Sequence, residues 1–219
     1  VRHRRRHDWA GQDPLSLRVF FFGIGAAAVA VGTTAALPWY REQPPLAHTG
    51  GFYEPTCLTC HQGEPLNQPP GSVQLLGLPD KYEPGQELSL TLLLTAPGLR
   101  VGGFQLTARF RDGRHAGRFQ VGDRRAAVAR AESGVEYVSH TREGTAAGKD
   151  TIRWSIQWTA PARANGDVLF HFAGNASNDD ASPLGDHIHL GQAVLAERPQ
   201  VKKSKPVRER NLTKPKLYP

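Results

Sequence analysis

Two stretches decide the fold: ELSLTLLLT at residues 87–95 and TIRWSIQWT at residues 151–159. In the first, Leu88, Leu90, Leu92 and Leu94 recur at every second position. In the second, Ile152, Trp154, Ile156 and Trp158 do the same, with Arg153, Ser155 and Gln157 between them. Successive side chains of a strand point to opposite faces, so this period predicts half-buried strands with one apolar face. Phe104 and Leu106 repeat the pattern in 103–110. Working outward, short apolar runs at 72–78, 117–121, 134–140, 167–173 and 187–195 also read as strands. Pro84-Gly85, Pro97-Gly98 and Asp112-Gly113 punctuate them as turns. No long amphipathic helix interrupts the series. Seven or eight short antiparallel strands predict a mainly β protein, an immunoglobulin-like antiparallel β-sandwich over residues 72–196.

The 219 residues carry a net charge of +7, which invites a nucleic-acid reading. The distribution argues against it. Residues 1–18 carry +3 and residues 196–219 carry +6, so the part between them is slightly acidic. The sandwich has no basic stripe for phosphates, and no nucleic-acid partner is expected.

From Val19 to Tyr40 the chain is uncharged for 22 residues. At about 1.5 Å rise per residue a helix of that length spans roughly 33 Å, enough for a hydrocarbon core of about 30 Å. Trp39 and Tyr40 close the run, where amphipathic rings favour the interface. Arg2, Arg4, Arg5, Arg6 and Arg18 precede it, so the positive-inside rule places residues 1–18 in the cytoplasm and the remainder outside. Thr34, Ala35 and Ala36 would offer a signal-peptide cleavage site. The length of the run favours an uncleaved single-pass anchor, 19–40, in a bacterial cytoplasmic membrane. Residues 41–71 then form a linker and attachment segment. The basic, proline-containing tail 197–219 reads as an extended arm for a protein or lipid surface.

Immediately outside the expected membrane lies Cys57-Leu58-Thr59-Cys60-His61, the C-x-x-C-H attachment motif of c-type haem. Two thiols at this spacing form thioethers to the two vinyl groups of one porphyrin, and the adjacent His61 supplies the proximal imidazole. Bacteria attach haem c outside the cytoplasmic membrane, where the anchor would put this motif. A structural disulfide between Cys57 and Cys60 is the plainer alternative. A zinc site would need further cysteines, and the chain has two in all. The chain has no Met, so His/Met ligation by this chain alone is excluded. His48, His115, His140, His171, His187 and His189 are the remaining external histidines. His171 lies within a strand-like run, and His187 and His189 flank Ile188 and point the same way. Calcium is a further candidate at Asn175-Ala176-Ser177-Asn178-Asp179-Asp180 with Asp186, although this spacing fits no EF-hand and such loops serve as turns. No nucleophile-and-base constellation and no phosphate loop is present.

Read in order, Cys57-x-x-Cys60-His61, Tyr82-x-Pro84-Gly85, Gly103-Phe104-Gln105-Leu106-Thr107, Tyr137-Val138-Ser139-His140-Thr141, Trp158-Thr159-Ala160-Pro161, Ala173-Gly174-Asn175-Ala176-x-Asn178 and Gly185-Asp186-His187-Ile188 resemble bacterial Reeler-like (reelin-type, "choice-of-anchor V") domains. The resemblance covers about residues 49–192. It implies an extracytoplasmic sandwich whose N-terminal segment carries the haem motif. It also implies that His140, in a recurrent family position, is the first choice for the distal iron ligand, ahead of His187 or His189. The fold commonly serves adhesion or display, so the haem reading rests on the motif and not on the fold.

The sequence therefore predicts a membrane-anchored, periplasmic monohaem c-type cytochrome. Cys57 and Cys60 hold the haem, with His61 and His140 as the axial pair. It would relay single electrons without enzyme chemistry, as an accessory subunit of a respiratory or photosynthetic membrane complex. The alternatives are a structural or adhesion subunit without haem, and a haem-based sensor with an open sixth site.

Overall fold

The computed structural model describes residues 42–163, 165–180 and 182–199. The expected N-terminal segment 1–18, the membrane helix 19–40 and the tail beyond residue 199 lie outside the described residues. Among the described residues, no helix is long and apolar enough to cross a membrane.

Two β-sheets face each other across one core. The smaller has the order β2(Ser72–Leu76), β4(Glu87–Thr95), β9(Thr151–Thr159), β6(Arg118–Gln120). The larger runs β1(Gln62–Gly63), β11(Leu184–Glu197), β10(Val168–Ser177), β5(Val101–Phe110), β8(Glu136–His140), β7(Ala126–Arg130), with β3(Lys81–Tyr82) also paired to β11. The protein is thus mainly β and two-layered. The long pairings are antiparallel; the exceptions are the two-residue strands β1 and β3, which run parallel to β11.

The decisive alternation becomes the centre of the core. β4 and β9 pair along their whole lengths, from Glu87 opposite Thr159 to Thr95 opposite Thr151. That register puts Leu88, Leu90, Leu92 and Leu94 on the same buried face as Trp158, Ile156, Trp154 and Ile152. The two indoles anchor the opposing sheet. Trp154 packs against Phe104 with ring centroids 4.5 Å apart, and Trp158 against Phe170 at 5.1 Å. Each buried indole N–H finds an acceptor: Trp154 Nε1 donates to Gly144 O at 3.0 Å and Trp158 Nε1 to Ala116 O at 3.2 Å. Large aromatic surface is therefore buried without orphaning a donor.

The larger sheet differs from the sequence expectation. On β5 the even residues Phe104, Leu106, Ala108 and Phe110 enter the core. Gln105, Thr107 and Arg109 face the other way, yet they too are buried. The cover is the segment that enters β1. Gln105 accepts from His48 N–H at 2.6 Å and donates to Pro45 O at 2.9 Å. Arg109 pairs with Glu54, and both donate or accept at the Tyr137 hydroxyl. Phe52 lies edge-on to His171, centroids 5.2 Å apart, under the Arg109 guanidinium. Gly51 must be glycine here, because a Cβ would stand 2.3 Å from His171 Cγ. The expected linker is a third layer over the outer face of the larger sheet, and it delivers the Cys57–His61 segment to a fixed place.

Candidate haem-attachment site

Cys57–Thr59 form a single 3-10 turn. Thr56 starts it: its side-chain oxygen accepts Leu58 N–H at 3.2 Å, the work of an N-cap residue. The turn closes through Cys57 O, which accepts from Cys60 N–H at 3.2 Å and from His61 N–H at 2.9 Å. Cys57, Cys60 and His61 therefore share one compact loop, fixed by its own backbone. Both thiols are unpaired. Burial pushes the Cys57 thiol up to about 12. It is thus a neutral thiol at physiological pH, unlike the low-pKa attacking thiol of a disulfide-exchange motif.

Immediately beyond, Gln62 and Gly63 pair with Leu184 and Asp186 of β11. This pairing sets His61 against the end of the large sheet. Its Nδ1 lies 2.6 Å from Asp186 Oδ2, and the Asp186 side chain is 2% exposed. Asn175 of β10 completes the corner. Its Nδ2 stands 3.1 Å from His61 Nδ1 and 3.3 Å from His61 Nε2, and donates to Asp186 Oδ2 at 3.3 Å. The tautomer with its proton on Nδ1 donates to the Asp186 carboxylate and leaves Nε2 as the basic nitrogen, facing the Asn175 amide. Metal-ligating histidines are held in this manner, the second ring nitrogen donating to a carboxylate. Two thiols at thioether spacing and an imidazole oriented through Nδ1 fit the donor set of a c-type haem.

His140 ends β8 and is 7% exposed. Its ring lies over Gly103, where a Cβ would stand 2.4 Å from His140 Cε1. Gly103 pairs directly with Asn175 across β5 and β10, and paired residues present the same face. His61 on Asn175 and His140 on Gly103 are consequently brought to the same end of the sheet, on neighbouring strands spaced about 4.8 Å apart. His140 Nδ1 meets both Phe104 N–H at 3.0 Å and Phe104 C=O at 3.3 Å. One tautomer accepts from the amide. The other donates to the carbonyl.

The other histidines have different surroundings. His189 is buried with its ring against Gly71, and pairs across the sheet with Gly174, which packs on Leu94 and Val73. It therefore faces the core side of the sheet, and His187, two residues earlier on the strand and paired with Ala176, shares that side. His115 sits beside Glu136, 3.3 Å from its carboxylate. His171 lies under Gly51 and Phe52, and His48 Nδ1 engages Leu46 O at 2.9 Å. The Asn/Asp loop proposed for calcium is divided. Asn175 and Asp186 turn to His61, while Asn178 and Asp180 accept from the amides of Asp180 and Ser182 as Asx turns. Among the described residues, no group of three or more His, Cys, Asp or Glu side chains gathers as for a metal ion.

Asp186 and Asn175 are the site residues whose role the sequence did not reveal. They lie 125 and 114 positions from His61, and only the β1–β11 pairing joins them.

No protein-family model matches the chain, and no curated protein matches it. Among solved structures, the reelin-N domain of F-spondin is similar, with 22% identity over 65% of this chain and 96% of that one, TM-score 0.45. The human F-spondin reeler domain is similar at 21% identity over 64% and 97% of the two chains, TM-score 0.40. A cohesin module of a Clostridium perfringens family 33 glycoside hydrolase is similar at 10% identity over 58% and 96%, TM-score 0.42. These are likenesses of a β-sandwich. What the corner at His61 can do is carried by its own residues.

Proposed function

We propose that the chain is a membrane-anchored, periplasmic monohaem c-type cytochrome that relays single electrons. In this reading it is an accessory subunit of a respiratory or photosynthetic membrane complex. The observation that carries it is the fixed loop Cys57–His61 with His61 Nδ1 held by Asp186. When bound, the haem supplies a one-electron ferric–ferrous couple. Cys57 and Cys60 would anchor it covalently, and His61 and His140 would ligate its iron. The outer-face layer that leads into the loop is fastened to the sheet through Glu54 and Arg109. The uncharged run 19–40 supports the anchor and the compartment, and the basic tail 197–219 supports the complex.

The test is the intact mass of the full chain, produced in cells that attach haem c. The expected mass is that of the polypeptide plus one haem, and Cys57→Ala/Cys60→Ala should lose the increment. A parent chain at the polypeptide mass overturns the proposal.

A structural subunit without haem is the second reading. One observation favours it: the Glu54–Arg109–Tyr137 cluster fastens the attachment segment to the sheet by protein groups alone. The same mass measurement separates the two.

A further inference from the structure

We infer that the β7 edge of the larger sheet is a self-association surface, where a second copy of this chain adds its own β7, antiparallel and centred on Val128. Ala131 N–H donates to Val135 O and Thr141 N–H to Arg125 O, so the odd-numbered residues of this segment are the ones bonded to β8. An antiparallel strand turns alternate residues to alternate neighbours. Ala126, Val128 and Arg130 therefore direct their N–H and C=O groups away from β8, and β7 is the last strand on that side of the sheet. Sheet edges are commonly guarded by Lys, Pro, bulges or brevity. β1, β3 and β6 have two or three residues each, and β2 lies between Pro70 and Pro79. β7 has five residues and pairs with β8 without a register shift. Its one charged side chain, Arg130, is turned to Glu136.

The segment is complementary to itself. Pairing centred on Val128 sets Val128 opposite Val128 of the second copy, and Ala126 opposite its Arg130. All of these bond outward, so a ladder can form in this register. Val128 is half-buried against the core and would meet its counterpart on the same face of the joined sheet. The small Ala126 leaves room for the Arg130 side chain across from it, and Ala127 meets Ala129 on the other face. At each end, the exposed Arg124 just before β7 comes to the exposed Glu132 just after β7 of the second copy. Two-fold symmetry makes this contact twice. Slid by two residues, the pairing opposes Arg124 to Arg130 in one direction and to Gly134 in the other, so charge selects the centred register.

This edge is separate from the Cys57–His61 corner, so the two readings fail separately. Light scattering of the purified full chain in mild detergent, over a dilution series, measures the association. The parent should be a dimer. Glu132 lies on the exposed turn between β7 and β8, and Glu132→Arg should raise the dissociation constant about tenfold, since two modest ion pairs give way to like charges. Arg124→Glu/Glu132→Arg should restore the dimer. Val128→Pro removes an outward N–H, where an edge strand tolerates proline, and should leave a monomer. A monomeric parent overturns the inference. So does an unchanged dissociation constant in Glu132→Arg, a double variant that associates no more tightly than Glu132→Arg, or a folded Val128→Pro that remains a dimer. If Val128→Pro does not fold, Glu132→Arg and the double variant decide. A dimer without haem overturns the functional reading and leaves this inference standing; a haem-loaded monomer does the reverse.

Discussion

Arg109 of β5 and Glu54 of the covering segment form an ion pair whose two side chains are each 9% exposed. They are 55 residues apart in the chain, and Tyr137 of β8 closes the cluster. This pair, with the His48–Gln105 contact, turns a linker into a layer, and the layer ends at the Cys57–His61 loop. Taking two charges out of water is costly, and removing one partner leaves the other buried and uncompensated.

Glu54→Ala should therefore destabilise the domain by about 3–5 kcal/mol. Urea unfolding followed by Trp fluorescence measures it, since Trp154 and Trp158 are buried. A loss below about 1 kcal/mol, the range of an exposed pair, would show that the layer is not held by this contact.

Gly103 leaves room for the His140 ring, and an added Cβ would stand 2.4 Å from Cε1. Gly103→Ala should push the ring off its seat on Phe104. In the haem-loaded chain, Gly103→Ala and His140→Ala should both convert a low-spin, six-coordinate spectrum to a high-spin one. An unchanged spectrum in His140→Ala moves the distal ligand to His187, His189 or a donor from another chain.

Burial lowers His115, His171 and His189 from the ordinary value of 6.5. Glu136 opposes the shift at His115, while Arg109 adds to that at His171 and His187 to that at His189. The unfolded chain binds protons that the folded chain refuses, so stability rises with pH across this window. The contribution is complete above the unfolded value of 6.5 and is lost as pH falls through it toward the folded values. The urea midpoint should fall steadily from about pH 7.5 to about pH 5.5, a range set by ordinary histidine titration. His171→Gln should flatten part of that slope. A midpoint that is constant or rises on acidification contradicts the assignment.

The parts of the fold visible in sequence are those where one period governs. β4 and β9 occupy 87–95 and 151–159 as the alternation predicts, because each packs one face on the core and leaves the other to solvent. β5 obeys the same rule in its core residues, but its polar face reads as solvent-facing and is covered. Alternation reports which face is apolar; it does not report what lies over the polar one. β1 and β3, at two residues each, are too short to carry a period, and the small side chains of Ala126, Ala127 and Ala129 hide β7. β11 runs to 14 residues, beyond the expected 187–195, because β1 and β3 extend its pairing at both ends. At the site, Cys57, Cys60 and His61 were legible because their spacing is local. Asp186 was legible only as one acid among several near a turn, since its partner comes through the β1 register.

In the proposed function this corner holds one haem through two thioethers. A pyridine haemochrome spectrum of the purified full chain, made in cells that attach haem c, tests it most directly. The expected spectrum shows one haem per chain with the α-band of a double thioether, and a shifted band when Cys57→Ala leaves a single bond. A spectrum without haem, or haem that extracts into acidified organic solvent, would contradict it.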